Sequence, residues 1–214
     1  MHCIDVVQAA GGHSAPVVYA GDSSVGPNDG RIHALTLWKW APGMANWLQI
    51  VPSPTGTPPS KSAIIATRFF VDPYNSNVVY IIDQTAIKRS DDGGATWNVD
   101  TSLDAVATEN HTFSNTGDFA VIKDMVFARG EPGTRFGVGT AGVFYTLNGN
   151  NWFRYLSTSA FPSHPVSAYF DPVSDPCDRA LYVALDGRGI IRRDPIPTPG
   201  IIVVRPCGGV VATQ

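Results

Sequence analysis

One order of strands and turns recurs four times along the chain, and a recurring order restricts a fold more than any single segment does. In each copy an apolar run leads through a turn to a short run that contains an aromatic residue. A tight turn, a third run, a hairpin and in most copies a Trp follow. The second copy is the clearest. Ile64 to Asp72 reads as a strand, Pro73 to Asn77 as a turn, Val78 to Asp83 as the next strand, Ala86 to Ser90 as the third, and Trp97-Asn98-Val99 as the start of the fourth. The third copy runs through Val121–Arg129, Arg135–Thr140, Gly142–Thr146 and Trp152–Leu156. The last uses Val166–Asp171, Ala180–Leu185 and Gly189–Arg193, with Ile201–Val204 as its expected fourth strand. The first uses Cys3–Val7, Val17–Ala20, Arg31–Trp38 and Trp47–Val51.

The equivalent aromatics are Tyr19, Tyr80, Phe136 and Tyr182, spaced 61, 56 and 46 residues apart. A propeller blade of four strands takes about 40–50 residues, so these copies are blade-sized with some long loops. Runs such as Ile64–Asp72 are apolar on both faces, as a sheet stacked between two others requires. The fold expected is therefore an all-β propeller of about four four-stranded blades, over about 1–55, 62–101, 118–158 and 162–206 of a single domain 1–214. Four is the lower end of the propeller range. The chain closes as a compact ring, or it is part of a larger ring completed by another chain or by a part outside this sequence; these readings stay open.

Composition agrees with this reading. Gly and Pro together make up about a sixth of the chain, and its acidic residues are sixteen Asp against two Glu. Asp favours turns where Glu favours helices. A 43% hydrophobic content and a net charge of −3 exclude a disordered chain. No block of Lys and Arg forms a basic stripe, which argues against nucleic acid. No apolar span is long enough for a transmembrane helix, and no basic and apolar leader is visible at the start. Cys177 and Cys207 pair in an oxidising setting with Cys3 left over, or all three are reduced and buried. Asn110-His111-Thr112 is a formal glycosylation acceptor.

Residues 90 to 97 read Ser-Asp-Asp-Gly-Gly-Ala-Thr-Trp. Ser90, Asp92, Gly94, Thr96 and Trp97 resemble the Asp box, S-x-D-x-G-x-T-W, of BNR-repeat propellers. Its physics is that of a hairpin turn: Ser and Asp side chains bond backbone N–H groups, glycine accepts positive φ, and the Trp packs between sheets. A shortened version, Thr146 to Trp152, has Asn148 in place of the Asp. The first copy keeps a Trp after what reads as an inserted loop, and the fourth keeps none. Val71-Asp72-Pro73 through Val79-Tyr80 and Phe170-Asp171-Pro172 through Leu181-Tyr182 are similar to a stretch common in these propellers, and Asp186 to Ile191 resembles the final blade of family 74 glycoside hydrolases (the xyloglucanase group); sortilin-like propellers and sialidases share these repeats. The resemblance covers about residues 62 to 195 and implies a propeller, with the Asp box as a structural element.

Function is not carried by the fold. A sialidase would need an arginine triad, and its characteristic Arg-Ile-Pro segment is absent. A family 74 hydrolase would need two carboxylates across a cleft, and no local motif selects two of the sixteen Asp. Two features are candidate ligand-binding sites. Trp38-Lys39-Trp40 puts two indoles on one face of a strand, as a platform for sugar rings or as packing between blades. Thr101 to Asp118 reads as the longest irregular segment, gathering Asp104, Glu109, His111 and Asp118, as a site loop or as a solvated connection. His and Asp without tight spacing make no metal site, and no cofactor is called for. The expectation is a non-catalytic recognition module for a glycan or a protein partner, such as a polysaccharide or glycoprotein, extracellular or at the cell surface. The alternatives are a glycoside hydrolase or part of one, and a structural subunit whose open blades join a second copy or a partner chain.

Overall fold

The computed structural model describes residues 6–9, 17–25, 32–51, 68–82, 86–113, 121–129, 131–171 and 180–193. Nearly all its regular structure is strand, arranged as four antiparallel sheets of three or four strands. The first sheet contains β1 (Val6–Ala9), β2 (Val17–Val25), β3 (Ile32–Trp40) and β4 (Leu48–Val51) in sequence order. The second contains β5 (Arg68–Val71), β6 (Val79–Ile82), β7 (Ile87–Ser90) and β8 (Asn98–Val99). The helix α1 (Thr101–Ala107) follows. The third sheet contains β9 (Ile122–Phe127), β10 (Arg135–Gly139), β11 (Gly142–Thr146) and β12 (Phe153–Ser157). The fourth contains β13 (Pro165–Asp171), β14 (Ala180–Leu185) and β15 (Gly189–Arg193).

Each sheet is a meander because short polar turns join consecutive strands. Between β5 and β6, Asp72 Oδ1 accepts from the N–H groups of Tyr74 (2.9 Å) and Asn75 (3.2 Å), closing the turn locally. The four sheets then stack in series. Tyr19, Leu37 and Ile50 of the first pack on Phe69, Val71, Val79 and Ile81 of the second. Tyr80, Ile82 and Ile87 on the other face of the second meet Ile122, Met125, Phe144 and Trp152 of the third, with Leu103 and Ala107 of α1 between them. Phe136, Val138 and Val143 of the third meet Phe170, Leu181, Val183 and Leu185 of the fourth. The alternation of strand side chains explains why β6 is apolar on both faces: it lies between two neighbours. Among the described residues no core cluster joins the first sheet to the fourth, so the arrangement is propeller-like without a closed ring.

The equivalent aromatics all fall on the second strand of their sheets, and each has a defined cross-strand partner: Lys39, Arg89, Tyr145 and Arg192 in turn. The first three aromatics point toward the following sheet.

Two sequence expectations are corrected. Thr101 to Asp118 is not irregular at its start. Asp100 Oδ1 accepts from the Leu103 N–H (3.0 Å) and caps α1, whose Leu103, Asp104 and Ala107 are buried. The first copy also has no inserted hairpin loop. Lys39 stands opposite Tyr19 as Arg89 stands opposite Tyr80, so Trp40 to Trp47 matches Ser90 to Trp97 in length. The three cysteines, Asp118 and the expected strand Ile201–Val204 lie outside the described residues.

Candidate functional site

The Ser90–Trp97 turn is internally satisfied. Ser90 Oγ donates to Asp92 Oδ1 (2.8 Å) and accepts from the N–H of Gly94 (2.7 Å). Asp92 accepts from the Thr96 N–H (2.9 Å) and the Thr96 hydroxyl (2.6 Å). These donors hold the Asp92 carboxyl below the usual carboxylate range, the Thr96 hydroxyl first among them. Gly94 has φ +95, and a Cβ there would come within 2.5 Å of Ile50. Trp97 is half-buried against the junction of the first two sheets, with Nε1 donating to the Ile50 carbonyl (3.4 Å). In the third sheet Asn148 Oδ1 takes the place of the Asp, accepting from the N–H groups of Asn150 and Asn151 (2.9 Å each). The substituted turn therefore keeps the same construction.

Between these two turns lies an open polar cleft of about 230 Å³, at the junction of the second and third sheets. Arg89 and Asp91 come from the end of β7, Asn98 and Val99 from β8, Asp100 to Ser102 from the start of α1, and Asn150 from the neighbouring turn. Arg89 crosses the junction and donates to the Gly149 carbonyl and to Asn150 Oδ1 (3.0 Å). Asp91 pairs with Arg89 at 2.6 Å. Asp100 Oδ2 accepts from Trp152 Nε1 (3.2 Å) while its other oxygen caps α1. Burial raises the Asp100 carboxyl above the usual range, against the lowering effect of those donors. The Ser102 hydroxyl accepts from the Trp152 N–H (2.8 Å).

Glu109 and His111 sit together just beyond α1. Glu109, Asn110 and His111 are three consecutive residues at positive φ, of +51, +53 and +66. The Thr108 hydroxyl accepts from the His111 N–H (2.9 Å) and shapes this turn. Glu109 pairs with Arg154 at 2.9 Å. His111 Nδ1 lies 3.5 Å from Asp104 Oδ2, with its side chain 73% exposed. Asp104 is buried, and its Oδ1 accepts from the Ile87 N–H (3.0 Å). Trp38 and Trp40 lie on the first sheet. They share the face of β3 opposite Leu37 and are half-buried, beside the exposed Trp47. Glu109 and His111 thus face different partners, Arg154 and Asp104, and the Trp pair lies on another sheet. Among the described residues no group of His, Cys, Asp and Glu is arranged to hold a metal ion.

The cleft residues were not singled out by sequence. They come from segments some fifty residues apart, and only the tandem Asp-box-like turns hinted that two such segments would meet.

No family model matches the chain, and no curated protein matches it. Solved structures do resemble it. An ancestral GH74 enzyme superposes with a TM-score of 0.51 at 17% identity, over 88% of this chain and 22% of that one. The GH74 xyloglucanase from Xanthomonas campestris gives 0.47 at 16% identity, over 86% and 30%. The extracellular domain of a one-component system from B. thetaiotaomicron gives 0.49 at 11% identity, over 89% and 21%. The chain thus spans well under half the length of these neighbours, and the first of them supports a shared propeller-like fold and nothing about chemistry.

Proposed function

We propose that the chain is a non-catalytic recognition module, its four sheets serving as BNR-like blades, that takes a hydroxyl-rich ligand such as a glycan. The observation that carries this reading is the lining of the cleft between the second and third sheets. A guanidinium, two carboxylates, two side-chain amides and hydroxyls surround an open surface. Such groups match the alternating donors and acceptors of a sugar face. Both carboxylates are already engaged, Asp91 with Arg89 and Asp100 with Trp152 and α1. That engagement favours binding over turnover. Glu109 and His111 would extend the surface at the far end of α1, and Trp38 with Trp40 would offer a separate stacking platform. The Asp-box resemblance goes with an extracellular or cell-surface setting.

The test is binding to a panel of plant and bacterial polysaccharides, xyloglucan included, by affinity electrophoresis and calorimetry. Retardation by one polysaccharide, weakened roughly tenfold by Asn98→Ala with Asn150→Ala, supports the reading. No binding to any member removes the glycan from it.

One observation favours a hydrolase as the second reading. Asp100 has a raised carboxyl beside an open cleft that Asp91 also lines, and a general acid needs a raised pKa. Release of reducing ends that Asp100→Asn abolishes would replace recognition with catalysis.

A further inference from the structure

Two of the three junctions between sheets, first to second and second to third, share one polar clasp, while the third to fourth is closed by apolar packing around Phe136. In the first sheet the Tyr19 hydroxyl donates to the Ser76 carbonyl (2.5 Å), and its cross-strand partner Lys39 donates through Nζ to the Gly93 carbonyl (3.3 Å). In the second sheet the Tyr80 hydroxyl accepts from Arg135 (2.7 Å), and its partner Arg89 donates to the Gly149 carbonyl. Gly93 and Gly149 hold the same place in successive turns, three residues after Ser90 and Thr146, with φ +73 and +74. A cation on one sheet thus grips a glycine carbonyl in the turn of the next, while the aromatic opposite it bonds a second group of that sheet. Lys39 and Arg89 also lie over the Tyr19 and Tyr80 rings, at 5.7 and 6.0 Å.

Among the described residues, the first and fourth sheets carry the two halves of this clasp without a mate. On the fourth sheet Tyr182 stands opposite Arg192, on the face away from Leu181, Val183 and Leu185. Arg192 is exposed on that face, with Tyr169 61% exposed and Ile190 71% exposed beside it. On the first sheet Gly43, with φ +89, lies three residues after Trp40, where Gly93 lies after Ser90. A Cβ added at Gly93 would meet Lys39 Nζ at 2.2 Å, and one at Gly149 would meet Arg135 at 2.9 Å. At Gly43 it would meet nothing within 4 Å. Trp38 and Trp40 lie on the outward face of the same sheet, away from Leu37 and Tyr19.

We propose that two copies of this chain associate head to tail. Tyr182 and Arg192 of each copy receive the Gly43 turn of the other, and Tyr169 and Ile190 cover Trp38 and Trp40. The two new junctions are identical, so a two-fold axis relates the copies and the contact closes instead of running on into a fibre. The pair holds eight sheets, within the range of closed propellers. The recognition cleft lies at an internal junction, so this association stands or falls independently of ligand binding.

The experiment is native mass spectrometry and sedimentation of the intact chain across a concentration series. The expected particle has twice the 22.9 kDa chain mass. Arg192→Glu and Tyr169→Lys change exposed residues and leave each sheet's own core intact. Each should raise the dissociation constant roughly tenfold or more, with an unchanged circular dichroism spectrum. Association should also shift the tryptophan emission of the wild type to shorter wavelength. A monomer at every concentration overturns the proposal, whether the chain stays open or closes on itself. So does a ladder of open oligomers, or a dimer that neither substitution weakens.

Discussion

At the scale of single residues, stability rests on polar groups that have found partners out of water. Arg135 is buried between the second and third sheets. It lies 3.6 Å from Asp72 Oδ2, donates to the Tyr80 hydroxyl, and packs over the rings of Tyr80 and Phe127. Removing one partner of such a pair leaves the other charge buried alone, at a cost of about 3–5 kcal/mol. Arg135→Ala should show that loss in chemical denaturation. Arg135→Met with Asp72→Asn should recover part of it, because Asn keeps the turn acceptor without the charge. Asp92 tests the opposite case, an exposed carboxylate held by local donors. Its folded pKa is depressed, so its contribution is present above the unfolded value of about 3.9 and is lost as pH falls through the folded value. The Tm gap between wild type and Asp92→Ala should therefore be widest near neutral pH and narrow on acidification. Asp92→Asn should lose less than Asp92→Ala, since Asn148 shows that an amide supports the same turn. A gap that widens in acid would remove the carboxylate from the account.

At the scale of elements, strand content was legible because its causes are local. Alternation and turn residues sit within each run, and the described strands of the second to fourth copies fall within a few residues of their expected bounds. The helix α1 was not legible. Seven residues, Thr101 to Ala107, are too few to establish a 3.6-residue period, and the buried face that holds them is supplied by β7 together with β11 and β12 of the next sheet. The cleft was hidden for the same reason, since its walls meet only through packing between sheets. The turn after α1 separates strain from function. His111 is at φ +66 with an exposed side chain, and a non-glycine residue in this region costs about 1–2 kcal/mol, offset in part by the greater freedom glycine has in the unfolded chain. His111→Gly should raise stability by up to about 1 kcal/mol in urea unfolding. If His111 also extends the recognition surface, the same variant should bind its polysaccharide more weakly. A stabilised variant with unchanged affinity would leave His111 as a turn residue alone.

At the scale of the whole molecule, four sheets in series resemble a repeat array in which each unit is held by its neighbours. Among the described residues, the second and third sheets are covered on both faces by core clusters, while the first and fourth are covered on one. Stability should follow that difference, because opening an end sheet uncovers one interface and opening an inner sheet uncovers two. Amide exchange should therefore be slowest in β6 and β10, whose residues are buried throughout. It should be faster in β13 and β14 despite their more extensive strand pairing with each other. Pairing alone would give the reverse order, since β13 and β14 are longer than β5 and β6. Pulse-labelled exchange read by mass spectrometry distinguishes the two. Slow exchange confined to the inner sheets means that packing between sheets governs local opening. Equal protection throughout would mean that the end sheets are covered in solution. Dilution would then decide what covers them: protection of the fourth sheet that falls with concentration identifies the cover as a second molecule.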